Sequence, residues 1–285
     1  MKKLLTLALC LLLALPFAAS ALAETVDEDG QNWKIYEIAT GTTEDFDGND
    51  VEETFEFVTD LDEYGDGSFT LNVGEESVSM EYCVLLNEVV HAMKIGHGEY
   101  TYGTLFMVSE YGMSDDALTY CYFYTDSQIY DIGQIPDVPE NFIINPDHTI
   151  RANVRTDVLG TWSHPADYVF AFGSNWQDDT YETYYHLAEV PQYIYPLGRI
   201  ANLKVDLPVL EAREDDDFAY TISGGQQVLL VGTDCKRWAY ISTLDGKTAG
   251  WVRLRMQEEG WTADVPVGDS YYEPYEVFDN LLFAD

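Results

Sequence analysis

Asp45-Phe46-Asp47-Gly48-Asn49-Asp50-Val51-Glu52-Glu53 concentrates oxygen-bearing groups in one short stretch. Asp45, Asp47 and Asn49 alternate along it, Val51 offers a carbonyl, and Glu53 adds an acid four residues after Asn49. A hard cation such as Ca²⁺ takes six to eight oxygens, and a loop of this kind wraps them round one point. In so acidic a chain the same cluster also reads as a hairpin loop whose Asp and Asn make turn hydrogen bonds.

Other reactive residues form no pattern. The histidines are His91, His97, His148, His164 and His186. His91 and His97 would share a strand face, but Gly96 and Gly98 interrupt it and no third zinc ligand is marked. No Gly-x-Ser-x-Gly elbow occurs. Cys235 precedes Lys236-Arg237, which favours its thiolate, yet no base stands near it in sequence. Asp115 and Asp116 read as turn residues. No pair of carboxylates is singled out for glycoside cleavage.

The second candidate site is cationic and aromatic. Lys236 and Arg237 lead into Trp238 and Tyr240, and Trp251 follows on the next strand. The two basic residues suit ligand carboxylates. Trp238, beside them, reads as a contact residue, and Trp251, between Gly250 and Val252, as a core residue.

Gly224–Leu254 must position that group. Val228–Val231 is a short apolar run after Gly224-Gly225, and Trp238–Ser242 alternates in character as a two-faced strand does. Leu244-Asp245-Gly246-Lys247 is a hairpin turn, because Asp-Gly accepts the positive φ of a two-residue loop. Gly225, Trp238, Asp245-Gly246-Lys247 and Gly250-Trp251-Val252 together resemble the bacterial SH3-like domain. Leu210-Glu211-Ala212-Arg213 stands where that family has Leu-x-Val-Arg, and Glu214–Asp217 replaces its usual Ser-Gly-Pro. The resemblance implies a small β-barrel that binds cell-wall peptide or another protein segment.

Residues 33–200 read as strand after strand, rich in Val, Thr, Tyr and Phe and punctuated by Gly, Asp, Asn and Pro. No segment keeps a helical period over twelve residues. The spacing predicts an all-β sandwich or partial propeller, with Thr54–Val58 and Cys83–Met93 among its strands. The Asp45–Glu53 loop before a strand resembles the calcium loop of FG-GAP (VCBS) repeats. That resemblance implies Asp45, Asp47, Asn49 and Glu53 as side-chain ligands and Val51 as a carbonyl ligand. Asp50 occupies the position where the repeat has Gly.

Composition limits the partners. The chain has 285 residues and a formal charge of −37. Met1–Ala23 reads as a secretory signal peptide: Lys2-Lys3, an apolar stretch, then Ala21-Leu22-Ala23. Its loss would leave 12 basic residues against 51 acidic ones, which excludes nucleic acid on Coulomb grounds. No later segment is apolar and long enough to span a bilayer as a helix. Between Glu24 and Leu203 stand 35 acidic and 5 basic residues, whereas Lys204–Arg255 is nearly balanced with 8 and 7. This shift predicts a boundary near 200. The expected organisation is a leader 1–23, an acidic β-rich domain 24–200, an SH3-like domain 201–257 and an acidic aromatic tail 258–285. Val205–Gln257 is expected to fold alone. Cys83, Cys121 and Cys235 are expected as thiols, with Cys83–Cys121 the natural pair if any forms. The functional expectation is a secreted, non-enzymatic binding protein of the cell envelope, with Ca²⁺ as its cofactor. The alternative is an envelope hydrolase with its active site in the first domain.

Overall fold

The computed structural model describes residues 33–97, 100–112, 116–177, 180–257 and 262–283. The leader 1–23, Asp115 and the tail's Trp261 lie outside them. The fold is all-β. It divides into two compact units. The larger holds residues up to Val154 with Pro165–Val190, and the second holds Arg155–His164 with Pro191 onward.

The larger unit opens with β1 (Ile35–Ile38), β2 (Thr43–Glu44), β3 (Glu53–Leu61), β4 (Gly67–Val73) and β5 (Glu76–Cys83). There follow β6 (Leu86–His97), β7 (Tyr100–Tyr111), β8 (Ala117–Thr125) and β9 (Gln128–Ile135). Next come β10 (Ile143–Ile144), β11 (Ile150–Thr156), β12 (Trp162–Gln177) and β13 (Thr180–Glu189). They make three sheets, ordered β2-β3-β4-β5, β1-β6-β7-β8-β9 and β10-β11-β12-β13.

The sheet that holds β6, β7 and β8 is covered on both faces. Val90, Ala92, Phe106, Val108 and Tyr122 pack against Phe55, Phe69, Leu71 and Val73 of the first sheet. Met93, Leu105, Met107 and Phe123 pack the opposite way, against Ile150, Ala152, Ala166 and Tyr168. Two-sided burial explains why Leu105–Val108 and Tyr120–Tyr124 read as unbroken apolar runs. It also separates the thiols. Cys83 belongs to one cluster and Cys121 to the other, and all three described cysteines are free. The strand expected over Cys83–Met93 breaks at Val84-Leu85. Leu85 takes a left-handed φ of 49°, and its N–H donates to Asp66 Oδ1 at 2.9 Å. A side-chain acceptor replaces the ladder there, so β5 ends and β6 begins.

The second unit contains β14 (Tyr195–Leu203), β15 (Leu207–Val209), β16 (Tyr220–Ile222), β17 (Gln227–Thr233), β18 (Trp238–Thr243) and β19 (Ala249–Arg253). Then come β20 (Arg255–Met256), β21 (Ala263–Val267), β22 (Ser270–Tyr272), the short helix α1 (Pro274–Val277) and β23 (Phe278–Asp279). Its main sheet is ordered β19-β18-β17-β14-β23. The hairpin between β18 and β19 forms at Asp245-Gly246, but not round a two-residue loop. The Thr243 N–H donates to the Thr248 carbonyl at 2.8 Å, so four residues, Leu244–Lys247, make the turn, and only Gly246 among them takes a positive φ. Gly246 has φ 67°, and Asp245 Oδ1 accepts the Lys247 N–H at 3.1 Å.

The core of this unit reaches beyond 201–257 on both sides. Position 201 lies inside β14, whose Ala201 and Leu203 face the core. Val158 and Leu159 enter it from earlier in the chain. Ala263, Val265, Val277 and Phe278, from the acidic aromatic tail, enter it too. The tail's aromatics do not follow them: of those described only Phe278 is buried, whereas Tyr271, Tyr272, Tyr275 and Phe283 are exposed.

Candidate functional site

The Asp45–Glu53 loop belongs to the larger unit and joins β2 to β3. One oxygen from each of Asp45, Asp47 and Glu53 lies within 4.8 Å of the others. Among the described residues these make the one such group of three His, Cys, Asp or Glu. Asp45 folds the loop round itself. Its Oδ1 accepts the N–H groups of Gly48 (2.6 Å) and Asn49 (3.1 Å), and its Oδ2 that of Asp50 (2.9 Å). Burial pushes the Asp45 carboxyl up, but the four backbone N–H groups of Asp50, Gly48, Asn49 and Asp47 outweigh it and hold it below the ordinary value.

Asp47 is buried and ties the loop to the β8–β9 turn, accepting the Ser127 N–H at 2.8 Å. Asn49 donates its amide to Asp47 Oδ2 at 3.1 Å and accepts the Val51 N–H at 2.8 Å. Glu53 is also buried, and its Oε2 accepts the Phe46 N–H at 3.1 Å. Burial raises the Glu53 carboxyl, and the charges of Asp47 and Asp45 raise it further. Lys94 Nζ closes the group from outside, 3.2 Å from the Asp45 carbonyl and 3.0 Å from Glu44.

The backbone geometry accommodates Asp50. It sits at φ 66°, which Asp tolerates, and Gly48 carries the tighter constraint at φ 76°. A Cβ on Gly48 would lie 2.1 Å from the Thr101 carbonyl oxygen. The donor set fits a hard cation: oxygens only, two of three carboxylates buried, and mutual repulsion that a divalent charge would relieve. Each carboxylate oxygen has two lone pairs, so an accepted N–H leaves capacity for a metal. Of the expected ligands, the structure gathers Asp45, Asp47 and Glu53. Asn49 is held against Asp47, and the Val51 side chain is exposed.

The second candidate lies on the main sheet of the second unit. Tyr240 pairs with Trp251, and Trp238 with Arg253, across β18 and β19. Ala239, Ile241 and Val252 point the opposite way, into the apolar core. Trp251 is therefore buried, at 8% exposure, but on the face away from that core. What covers it is polar and aromatic. Tyr240 lies 4.9 Å from its ring and Tyr193 5.6 Å, and the Arg213 guanidinium stands 4.1 Å over it. Arg213 also lies 3.9 Å from the Tyr193 ring and 3.7 Å from Asp234 Oδ2. Its Nη2 donates to the Tyr193 carbonyl.

Trp238 is half-buried and flanked by two guanidinium groups, Arg237 at 5.8 Å and Arg253 at 5.9 Å from its ring. Lys236 and Arg237 are exposed on a turn built by Asp234, whose Oδ1 accepts the N–H groups of Lys236, Arg237 and Trp238. A cavity of about 190 Å³ in this unit is lined by Leu210, Asp215, Phe218, Val252, Arg253 and Tyr271 among others. Arg253 thus lines the cavity and reaches Trp238.

The histidines are scattered. His91 is buried with Nε2 3.8 Å from Glu140, His148 stacks on Trp33 at 4.6 Å, and His164 packs on Tyr195 at 3.9 Å. The side chain of His97 lies outside the described residues.

No protein-family profile, curated protein or solved structure matches this chain.

Sequence reasoning left Arg253, Arg213 and Tyr193 without a role. The period of two along β19 carries Arg253 to the face of Trp251, which was a usable signal. Tyr193 precedes β14, and no local pattern links it to Trp251.

Proposed function

We propose that this chain is an exported, non-enzymatic binding protein of the bacterial cell envelope. Its SH3-like second unit takes a peptide segment of the wall or of another protein. The supporting observation is the face on which Trp238 lies between Arg237 and Arg253 beside Tyr240. Indole and phenol rings offer apolar area at small entropic cost, and the guanidinium groups offer charge-assisted hydrogen bonds to carboxylates. Lys236 extends that charge. Trp251 acts beneath the contact surface, as the support on which Tyr240 and Arg213 rest.

Ca²⁺ is the proposed cofactor of the larger unit. Asp45, Asp47 and Glu53 would hold it, with Asn49 and the Val51 carbonyl completing the shell. Its role is structural: it would neutralise the carboxylates that pin the loop to the β8–β9 turn.

Purified protein incubated with isolated bacterial sacculi tests the binding reading. Wild type should sediment with them, and Trp238→Ala, still folded by circular dichroism, should sediment at least ten-fold less. Wild type that stays in solution removes wall peptide as the ligand. Sacculi that dissolve would replace the reading with the hydrolase.

A further inference from the structure

A second, unrelated interaction surface lies in the larger unit, where the chain crosses from β1 to β2. β3 is paired with β4 along its length, from Phe55↔Val73 to Leu61↔Gly67. On its other side the pairing runs out. The Phe55 N–H donates to Thr42 O at 2.8 Å, and the Phe55 carbonyl accepts the Gly41 N–H at 2.8 Å. One rung further, a side chain stands in for a strand: the Thr40 hydroxyl faces both the Phe57 N–H (3.0 Å) and the Phe57 carbonyl (3.2 Å). Backbone direction alternates with a period of two, so the N–H and C=O of Thr59 and Leu61 point out of the same edge. They have no backbone partner among the described residues.

The open edge borders a cleft of about 320 Å³. Ile38, Phe57, Val89 and Val90 give it an apolar lining, and Glu37 and Glu88 give it charge. Val89 and the neighbouring Val58 are exposed. Glu88 accepts the Thr59 hydroxyl at 3.3 Å, so an acid stands at the unpaired rung. Glu56 and Asp60 are exposed on the same strand. No Lys or Arg occurs anywhere between Lys34 and Lys94. Sheet edges are ordinarily blocked by lysine, proline or a bulge. Val58–Leu61 carries none of these, and its register with β4 is unbroken.

We propose that this edge receives an extended, lysine- or arginine-bearing peptide as an added strand. Its backbone would bond Thr59 and Leu61, its apolar side chains would enter the cleft beside Phe57, and its alternate cations, on the other face of the sheet, would meet Glu56 and Asp60. Main-chain bonds at an open edge give affinity, and alternate side chains give specificity. A second copy of this chain is disfavoured because the same acids would meet across the pair, and the chain's own Glu24–Gly30 segment is acidic too.

The test uses the full chain and two seven-residue peptides, one alternating lysine with valine and one alternating glutamate with valine. The lysine peptide should bind and slow hydrogen exchange at Thr59 and Leu61. Thr59→Pro removes the outward N–H together with the hydroxyl that bonds Glu88, changes no charge, and spares the ladder, because the Thr59 N–H points away from β4. It should weaken the lysine peptide at least ten-fold. Thr59→Val, which loses the hydroxyl alone, is the control and should bind as the wild type does. The double variant Glu56→Lys/Asp60→Lys changes two exposed side chains, leaves the backbone intact, and should reverse the preference between the two peptides. Unchanged affinity in Thr59→Pro, protection appearing elsewhere, or an unaltered preference in Glu56→Lys/Asp60→Lys would each overturn the proposal. So would concentration-dependent dimers protected at the same amides, which would assign the edge to self-pairing.

Discussion

The guanidinium of Arg213 lies 4.1 Å over the ring of Trp251, on the face of the sheet opposite the apolar core. A large indole is thereby buried without entering the core. It is sealed by a cation that Tyr193 and Asp234 hold in place. The pair can be broken from either side, with different consequences.

Trp251→Ala removes a buried ring and should cost about 3–5 kcal/mol. Arg213→Ala should cost less, because Tyr193 and Tyr240 remain over the indole. A desolvated cation–π contact is worth about 2 kcal/mol, so the double variant should be less unstable than the sum of the singles by about that amount. Urea unfolding of the four proteins, followed by tryptophan fluorescence, measures this. Strict additivity would mean the guanidinium and the ring are adjacent without interacting.

Glu53 gives the metal loop a testable sign. Its carboxyl is raised by burial first and then by Asp47 and Asp45. A raised acid contributes stability below its unfolded pKa and loses it as pH climbs through the folded one. At neutral pH, Glu53→Gln should therefore leave the metal-free melting temperature unchanged or higher. Calcium should stabilise the wild type by about 1.4 kcal/mol at ten times the dissociation constant. Extracellular sites of this kind lie at about 0.1–1 mM. Glu53→Gln and Asp47→Ala should both lose that response. A variant that responds as fully as the wild type would place the ion elsewhere.

Asp167 behaves in the opposite direction. Its hydrogen bonds from Arg151, at 2.8 and 3.0 Å, hold its carboxyl below the ordinary value against the effect of burial. The stability it contributes is present above the unfolded carboxylate pKa and is lost as pH falls through the folded one. Arg151 is partly exposed, so the pair is worth no more than about 1 kcal/mol at moderate salt. Asp167→Asn should lower stability at pH 7 by that amount and flatten its loss below pH 4. Equal slopes in acid for both proteins would show that the pair contributes nothing.

The parts of this fold that follow local rules were legible in the sequence. The alternation of β18 follows from strand period, and the hairpin at Asp245-Gly246 from turn chemistry, although its loop is two residues longer than that dipeptide alone implies. The two-sided burial of β7 and β8 was not legible, because a short apolar run does not say how many faces are covered. The gathering of Asp45, Asp47 and Glu53 was legible too, because nine residues of one loop contain it. The cover of Trp251 was not. Flanking Gly250 and Val252 made it read as core, yet the period of two puts Val252 in the core and Trp251 on the other face. The Thr40–Phe57 contact was also hidden, since a hydroxyl replacing a strand leaves no pattern. The boundary near 200 reflected a shift in surface charge, and surface charge does not report which strands share a core.

That last difference leads to a prediction about the second unit. Of the seventeen buried apolar residues in its core, eight lie outside Val205–Gln257. Among them are Ala201 and Leu203 of β14, which is hydrogen-bonded to β17 from Asn202↔Gln227 to Tyr195↔Thr233. Without β14, β17 becomes an exposed edge, and the inner faces of β17 and β18 lose Ala201, Leu203 and Phe278. Each large side chain so uncovered forfeits roughly 1.5–3 kcal/mol. A domain of some fifty residues buries only about 60% of its unfolded surface and has little stability to lose. Val205–Gln257 expressed alone should therefore be unfolded, with collapsed amide dispersion in its NMR spectrum. A fragment from Pro191 to Asp285 restores β14, β21, α1 and β23 and lacks only Val158 and Leu159 from the core. It should fold, less stably than the same unit in the full chain, and its β17 amides should be among the slowest to exchange. A well-dispersed spectrum from Val205–Gln257 would show that the short segment closes its own core, and β14 would then be an accessory strand.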